Sequence, residues 1–192
     1  MEVSDEQLLI QWREGEALAF ETLVRRYQVP LFAYLYRLSG DRAAAEDLCQ
    51  ETWARFVAAL DRFDPGRRLS TWLYAIATNL WRDASRGGRT RAAAAAHLPE
   101  LRSGLGITTP PTPLEEASRR ELEAEVREGV QGLPEEYRAV LVMRHYQGLR
   151  YAEIAEVLGC PIGTVKSRIH YAISHLRDRF ERKGILAEGG AP

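Results

Sequence analysis

Two stretches of this chain carry side chains suited to a polyanion. Between residues 162 and 176, Thr164, Lys166, Ser167, Arg168, His170 and Tyr171 fall off an apolar stripe of Val165, Ile169, Ala172, Ile173 and Leu176. Hydroxyls, an ammonium and a guanidinium on one side of an anchored helix can donate to phosphates and to base edges in a major groove. The second stretch places Asn79, Arg82 and Arg86 at i, i+3 and i+7, with Arg67 and Arg68 in the turn before them. Guanidinium groups pair with phosphates, Asn can read a base edge, and Tyr74 could stack on an unpaired base. This is binding chemistry. No Gly-rich phosphate loop, metal-ligand cluster or plausible catalytic triad stands in the sequence. His97, His145, His170 and His175 are scattered, and the last two read as helix surface. No catalytic residue, metal or cofactor is expected.

These residues need helices to position them. Tyr151, Ile154, Ala155 and Leu158 share one helical face. Gly159 suits the end of that helix and Pro161 the start of the next, which makes a helix-turn-helix. Two helices on a glycine turn occur in many bundles, and a basic helix face is commonly just solvated, so the rest of the chain must decide. Upstream, Ser4 or Asp5 caps a first helix with Leu8, Leu9 and Trp12 on its apolar face. A second runs from Ala17 to about Ser39, where Pro30 is expected to kink or interrupt it. Gly40 ends it and Asp41 caps a third over 42–60. A fourth runs from about Leu69 to Ser85, buried along Leu69, Trp72, Leu73, Ile76, Ala77 and Leu80.

Residues 86–118 break this periodicity with Gly87-Gly88, an alanine run at 92–96 that could be locally helical, and Thr108-Thr109-Pro110-Pro111-Thr112-Pro113, a linker composition. Helical periodicity returns near Leu114, breaks at Gly132-Leu133-Pro134, and ends in a tail, Gly189 to Pro192, expected to fray. Strand alternation is nearly absent. The expected fold is therefore all-α: two small helical domains joined by a flexible linker, the C-terminal one a helix-turn-helix. The expected boundaries are 1–86, 87–118 and 119–192.

The net charge of −1 conceals segregation. Residues 1–61 carry 6 Lys/Arg against 11 Asp/Glu, and 62–91 carry 7 against 2. Residues 92–136 carry 4 against 9, and 137–183 carry 9 against 4. Two basic zones suggest two sites for a polyanion. The acidic zones suit a protein partner better, and carboxylates at Glu46, Asp47 and Glu51 could dock a basic surface, although a solvated helix face is the default for them. No run reaches the roughly 18 apolar residues of a bilayer span, and no export signal opens the chain. Cys49 and Cys160 are far apart and fit a reducing cytoplasm as small apolar residues. A cytoplasmic location without membrane insertion is expected.

Four motifs stand in order: Asp47-Leu48-Cys49-Gln50-Glu51-Thr52-Trp53, then Leu69-Ser70-Thr71-Trp72-Leu73-Tyr74-Ala75-Ile76-Ala77-Thr78-Asn79, then Leu133-Pro134-Glu135-Glu136-Tyr137-Arg138, then Tyr151 through Arg168. Together they resemble an extracytoplasmic-function (ECF) sigma factor, the minimal group of the bacterial sigma-70 family, over roughly residues 5–183. The resemblance implies an alternative sigma factor that binds core RNA polymerase at the clamp helices of its largest subunit and at its flap. Asp47, Leu48, Gln50 and Glu51 are the implied docking residues. It implies single-strand recognition of a −10 element, with a base flipped out of the stack, by Arg67, Ser70, Thr71, Tyr74, Asn79 and Arg82. It implies duplex recognition of a −35 element by Thr164, Lys166, Ser167, Arg168, His170 and Tyr171. The strand-separating Trp pair of housekeeping members is missing, and the matching stretch reads Tyr74-Ala75-Ile76. An anti-sigma factor is the implied regulatory partner.

Other readings are weaker. A receiver-linked activator would need alternating strands and helices in the N-terminal half, which are absent. An enzyme would need one of the catalytic patterns missing above. A structural or anti-sigma module would not need two basic zones.

Overall fold

A computed structural model describes residues 3–64, 66–87 and 113–186. The central linker, the alanine run, His97 and the tail beyond residue 186 lie outside the described residues.

Local signals set the first helices. Ser4 accepts from the Gln7 N–H while the Gln7 side chain accepts from the Ser4 N–H, opening α1, Asp5–Arg13. Helix α2, Ala17–Ser39, continues through Pro30 as a single element. The missing N–H removes one ladder bond, and burial of Leu31, Tyr34, Leu35 and Leu38 just beyond it holds the helix on course. Gly40 closes α2 at φ 72°, and the Asp41 carboxylate accepts from the N–H groups of Ala43 and Ala44 at 2.8 and 3.1 Å. Helix α3, Arg42–Ala58, follows, then a 3-10 turn at Leu60–Arg62 and helix α4, Leu69–Arg86.

These helices close around aromatic rings. Phe56 is fully buried, with Trp12 at 5.8 Å, Trp53 edge-on at 5.5 Å and Trp72 at 5.2 Å. Trp72 also meets Phe63 at 4.9 Å, and Trp12 stacks on Phe20 at 4.5 Å. On the other flank Tyr34 is buried edge-on to Tyr74, its hydroxyl 2.7 Å from that of Thr78.

The C-terminal half contains α5, Pro113–Gln131, α6, Glu135–His145, α7, Tyr151–Leu158, and α8, Ile162–Arg182. Helix α5 begins inside the stretch read as linker. Gly159 at φ 61° ends α7, and Pro161 precedes α8. The core here is Val140, Val142, Met143, Ile154, Val165, Ile169 and Ala172. Among the described residues there is no strand, so the all-α expectation holds.

The two halves pack on one another. The Gln131 amide donates to the Arg37 carbonyl at 2.7 Å, and the Arg138 guanidinium to the Leu38 carbonyl at 2.6 Å. The same guanidinium takes the carbonyls of Gln131 and Leu133, so it gathers helix C-terminal acceptors from both halves. Arg37 lies 4.3 Å over the ring of Tyr146.

Candidate nucleic-acid interface

Helix α8 is pinned by buried Val165, Ile169 and Ala172, which turns Lys166, Ser167 and His170 to solvent. Two of the expected −35 residues are less free. Arg168 pairs with Glu136 of α6 at 2.5 Å, and the Tyr171 ring stacks on Tyr137 at 4.1 Å while staying exposed. Thr164 is half-buried in the first turn, and its carbonyl accepts from the Ser167 hydroxyl at 3.0 Å. His175, read as helix surface, is half-buried beside Tyr171.

The α4 face is more divided. Asn79 is exposed, and Ser70 and Arg82 are half-buried. Thr71 and Tyr74 are buried, at 3 % and 5 % exposure. The Tyr74 hydroxyl donates to Gln147 Oε1 of the other half at 2.6 Å, and burial pushes its pKa up. Arg67 pairs with Glu156 at 3.3 Å and Arg68 with Glu153 at 2.9 Å, both acceptors on α7. In this arrangement the N-terminal part of the α4 face is thus engaged by the C-terminal half. Motif reading missed Gln147, Glu153 and Glu156. The i, i+3 spacing of Arg150 and Glu153 was the available local signal: the Glu153 carboxylate accepts from the Arg150 N–H and side chain.

On α3 the inward residues are Ala45, Leu48, Cys49, Thr52 and Phe56. Asp47, Gln50 and Glu51 are exposed, and Glu51 pairs along the helix with Arg55 at 2.9 Å. Leu48, grouped with them by motif, is a core side chain that fixes the helix while its neighbours face out. Burial pushes the Cys49 thiol up to about 12, so it stays a packed, protonated group at neutral pH. Among the described residues no cluster of His, Cys, Asp or Glu could hold a metal, and no helix is long and apolar enough to cross a membrane.

Two helical units, one with a helix-turn-helix, carry separate cationic faces and an outward acidic helix. That defines a helical nucleic-acid-binding protein with a further face for a protein partner. Family models match in the same order: sigma-70 region 2 over residues 23–91 and sigma-70 region 4 over residues 123–176. The ECF RNA polymerase sigma factor SigW of Bacillus subtilis is 33 % identical over 187 residues, covering 94 % of this chain and 98 % of SigW. The RNA polymerase sigma-H factor of Pseudomonas aeruginosa is 35 % identical over 172 residues, covering 88 % and 89 %. The structure of CnrH in complex with the cytosolic domain of CnrY matches with a TM-score of 0.69 at 28 % identity, over 93 % of this chain and 97 % of CnrH. The chain belongs to the ECF group of the sigma-70 family. It is an alternative sigma factor, directing RNA polymerase to promoters for transcription initiation.

Proposed function

We propose that the work is divided among three faces. Asp47, Gln50 and Glu51 on α3 dock the clamp helices of the largest polymerase subunit, with Leu48 setting their orientation from the core. The α4 face takes the −10 element as a single strand: Arg67 and Arg82 pair with phosphates, Ser70 and Asn79 bond to sugar or base edges, and Tyr74 and Thr71 enter only once uncovered. Helix α8 takes the −35 duplex through Lys166, Ser167, Arg168, His170 and Tyr171, with Thr164 near its N-terminus on a phosphate. The carrying observation is that a buried stripe of Val165, Ile169 and Ala172 anchors α8 while Lys166, Ser167 and His170 face solvent.

The units are residues 1–86 and 119–192, joined by 87–118, a division supported by the two family-model spans; α5 carries helix back to Pro113. The chain works by binding rather than catalysis, in the cytoplasm where polymerase and promoter meet. CnrH was solved with the cytosolic domain of CnrY, and an anti-sigma factor is the matching partner here.

Run-off transcription with bacterial core polymerase on fragmented genomic DNA tests this. New discrete starts sharing two spaced upstream elements are expected. Lys166→Ala with Arg168→Ala should weaken −35 use by about 1–3 kcal/mol per lost contact while polymerase still co-purifies. Asp47→Ala with Glu51→Ala should reduce co-purification. DNA binding without polymerase and without new starts would move the reading to an activator.

A further inference from the structure

The chain between the 3-10 turn and α4 carries Arg67 and Arg68, and α1 helps to hold it. One terminal nitrogen of Arg13, Nη2, donates to the Leu60 carbonyl at 2.7 Å and to the Phe63 carbonyl at 3.4 Å. These acceptors lie 47 and 50 residues further along the chain, so the bonds tie elements that chain continuity leaves independent. The N–H groups of a guanidinium are fixed in its plane, and one side chain therefore sets both ends of the turn together. A basic residue in the last turn of a helix ordinarily serves that helix's own carbonyls. Here the carbonyls of Ile10, Gln11 and Trp12 already accept from the N–H groups of Glu14, Glu16 and Gly15, which leaves Arg13 free to reach outward. Its neighbour Trp12 fixes where it starts, stacked on Phe20 at 4.5 Å and 5.8 Å from Phe56. Beyond the turn, Phe63 is buried 4.9 Å from Trp72, and the Arg67 N–H donates to the Asp64 carbonyl at 3.0 Å. Arg67 is thus bonded to the residue directly after the carbonyl that Arg13 holds. Toward the start of α1, the Glu6 carboxyl stands below its ordinary value, held there first by a backbone N–H and the Ser4 hydroxyl and further by the charge of Arg68. Arg68 is therefore close enough to α1 for its charge to act there.

We propose that Arg13 is a positioning residue for −10 recognition: by holding the Leu60 and Phe63 carbonyls it fixes the place from which Arg67 and Arg68 meet the strand, without touching the strand itself. This rests on reading the α4 face and the loop before it as the −10 face. Phosphate contacts set the register and orientation of a nucleic acid on a protein. A swaying anchor at Arg67 therefore costs base discrimination by Ser70 and Asn79, not only attraction. The role is separable from folding. Arg13 is exposed, and the rings of Trp12, Phe56, Phe63 and Trp72 hold the N-terminal half together without it.

The test uses the full chain with core polymerase and a promoter recovered by the run-off experiment, as three templates: intact, with the −10 element substituted, and with the −35 element substituted. The proteins are the parent, Arg13→Ala, Arg13→Lys, Arg82→Ala, and Arg25→Ala as a control for one lost guanidinium on an exposed helix position. Run-off yields give two ratios, the preference for the intact −10 and for the intact −35. Arg13→Ala should lower the −10 preference about fivefold, the scale of one net hydrogen bond, and leave the −35 preference at the parent's value. Arg13→Lys, which keeps the charge but not the planar pair of donors, should recover less than half of the loss, and Arg25→Ala should match the parent. An equal fall on all three templates would leave both ratios unchanged and make Arg13 a stability residue, overturning the proposal. Full recovery in Arg13→Lys, or an equal loss in Arg25→Ala, would overturn it by reducing the effect to charge. Arg82→Ala separates the two levels. If it lowers the −10 preference and Arg13→Ala does not, positioning by Arg13 fails alone; if Arg82→Ala leaves that preference untouched, the −10 reading beneath it fails as well.

Discussion

Glu153 is one residue shared by a helix cap and an interface between halves. Its carboxylate accepts from the Arg150 N–H at 2.7 Å and the Arg150 guanidinium at 3.0 Å, and pairs with Arg68 at 2.9 Å. Burial disfavours its charge, but the Arg150 hydrogen bonds and the charges of Arg150 and Arg68 outweigh this and hold its pKa below the ordinary 4.5. A depressed carboxyl contributes stability that is present above its unfolded pKa and lost as pH falls through the folded one. Acidification below about 4.5 should therefore loosen both the α7 cap and the contact with α4. Glu153→Gln should flatten that part of the acid limb in pH-dependent urea titrations, and an unchanged limb would remove Glu153 from this role. The cap half of the role is legible from Arg150-x-x-Glu153. The Arg68 half is not, because it depends on how two halves meet across more than a linker's length of chain.

At the scale of elements, local chemistry was the readable part. Ser4, Gly40, Asp41 and Gly159 end or begin helices where their types predict, since capping involves only neighbours within a turn. The burial of α4 was only half readable. Its expected stripe ran through Trp72 and Ile76, which are half-buried, while Tyr74, Thr78 and Trp81 are fully inside. A wheel drawn on one helix cannot anticipate that α2 and α7 pack on its second flank. Two glycines separate the backbone contribution from the contact contribution. At Gly159, φ is 61° and an added Cβ would meet nothing within 4 Å. Gly159→Ala should therefore cost only the left-handed penalty, about 1–2 kcal/mol. At Gly40, φ is 72° and a Cβ would stand 2.8 Å from Gln131 Oε1 across the interface. Gly40→Ala should cost the same strain and also displace Gln131 from the Arg37 carbonyl. Urea melts rank the two, and scattering should show expansion for Gly40→Ala alone.

For the whole molecule, the buried apolar residues of the two halves form one continuous cluster, and the ion pairs that Arg67 and Arg68 make between the halves are partly solvated. The charge segregation anticipated separate working faces, and α3 and α8 present them. It did not anticipate that the basic loop before α4 would meet the only two carboxylates of α7. Those opposite charges lie in zones the sequence presents as independently basic, so their sum masks the pairing.

The aromatic core of the N-terminal half has an optical consequence. All 4 tryptophans, Trp12, Trp53, Trp72 and Trp81, lie there, and the C-terminal half carries tyrosines and Phe180 but no indole. Excitation selective for indole thus sees one half and is blind to the other, with no label attached. In a denaturant series the indole emission should report one transition, while far-ultraviolet dichroism, which weights helices of both halves, should show a second that indole misses. Superimposable curves would mean that the halves melt as one cooperative unit. Because α8 carries no indole, duplex bound there leaves the emission unchanged, whereas bases stacked near Trp72 or Trp81 would quench it, so the chain itself distinguishes which of its two faces is occupied.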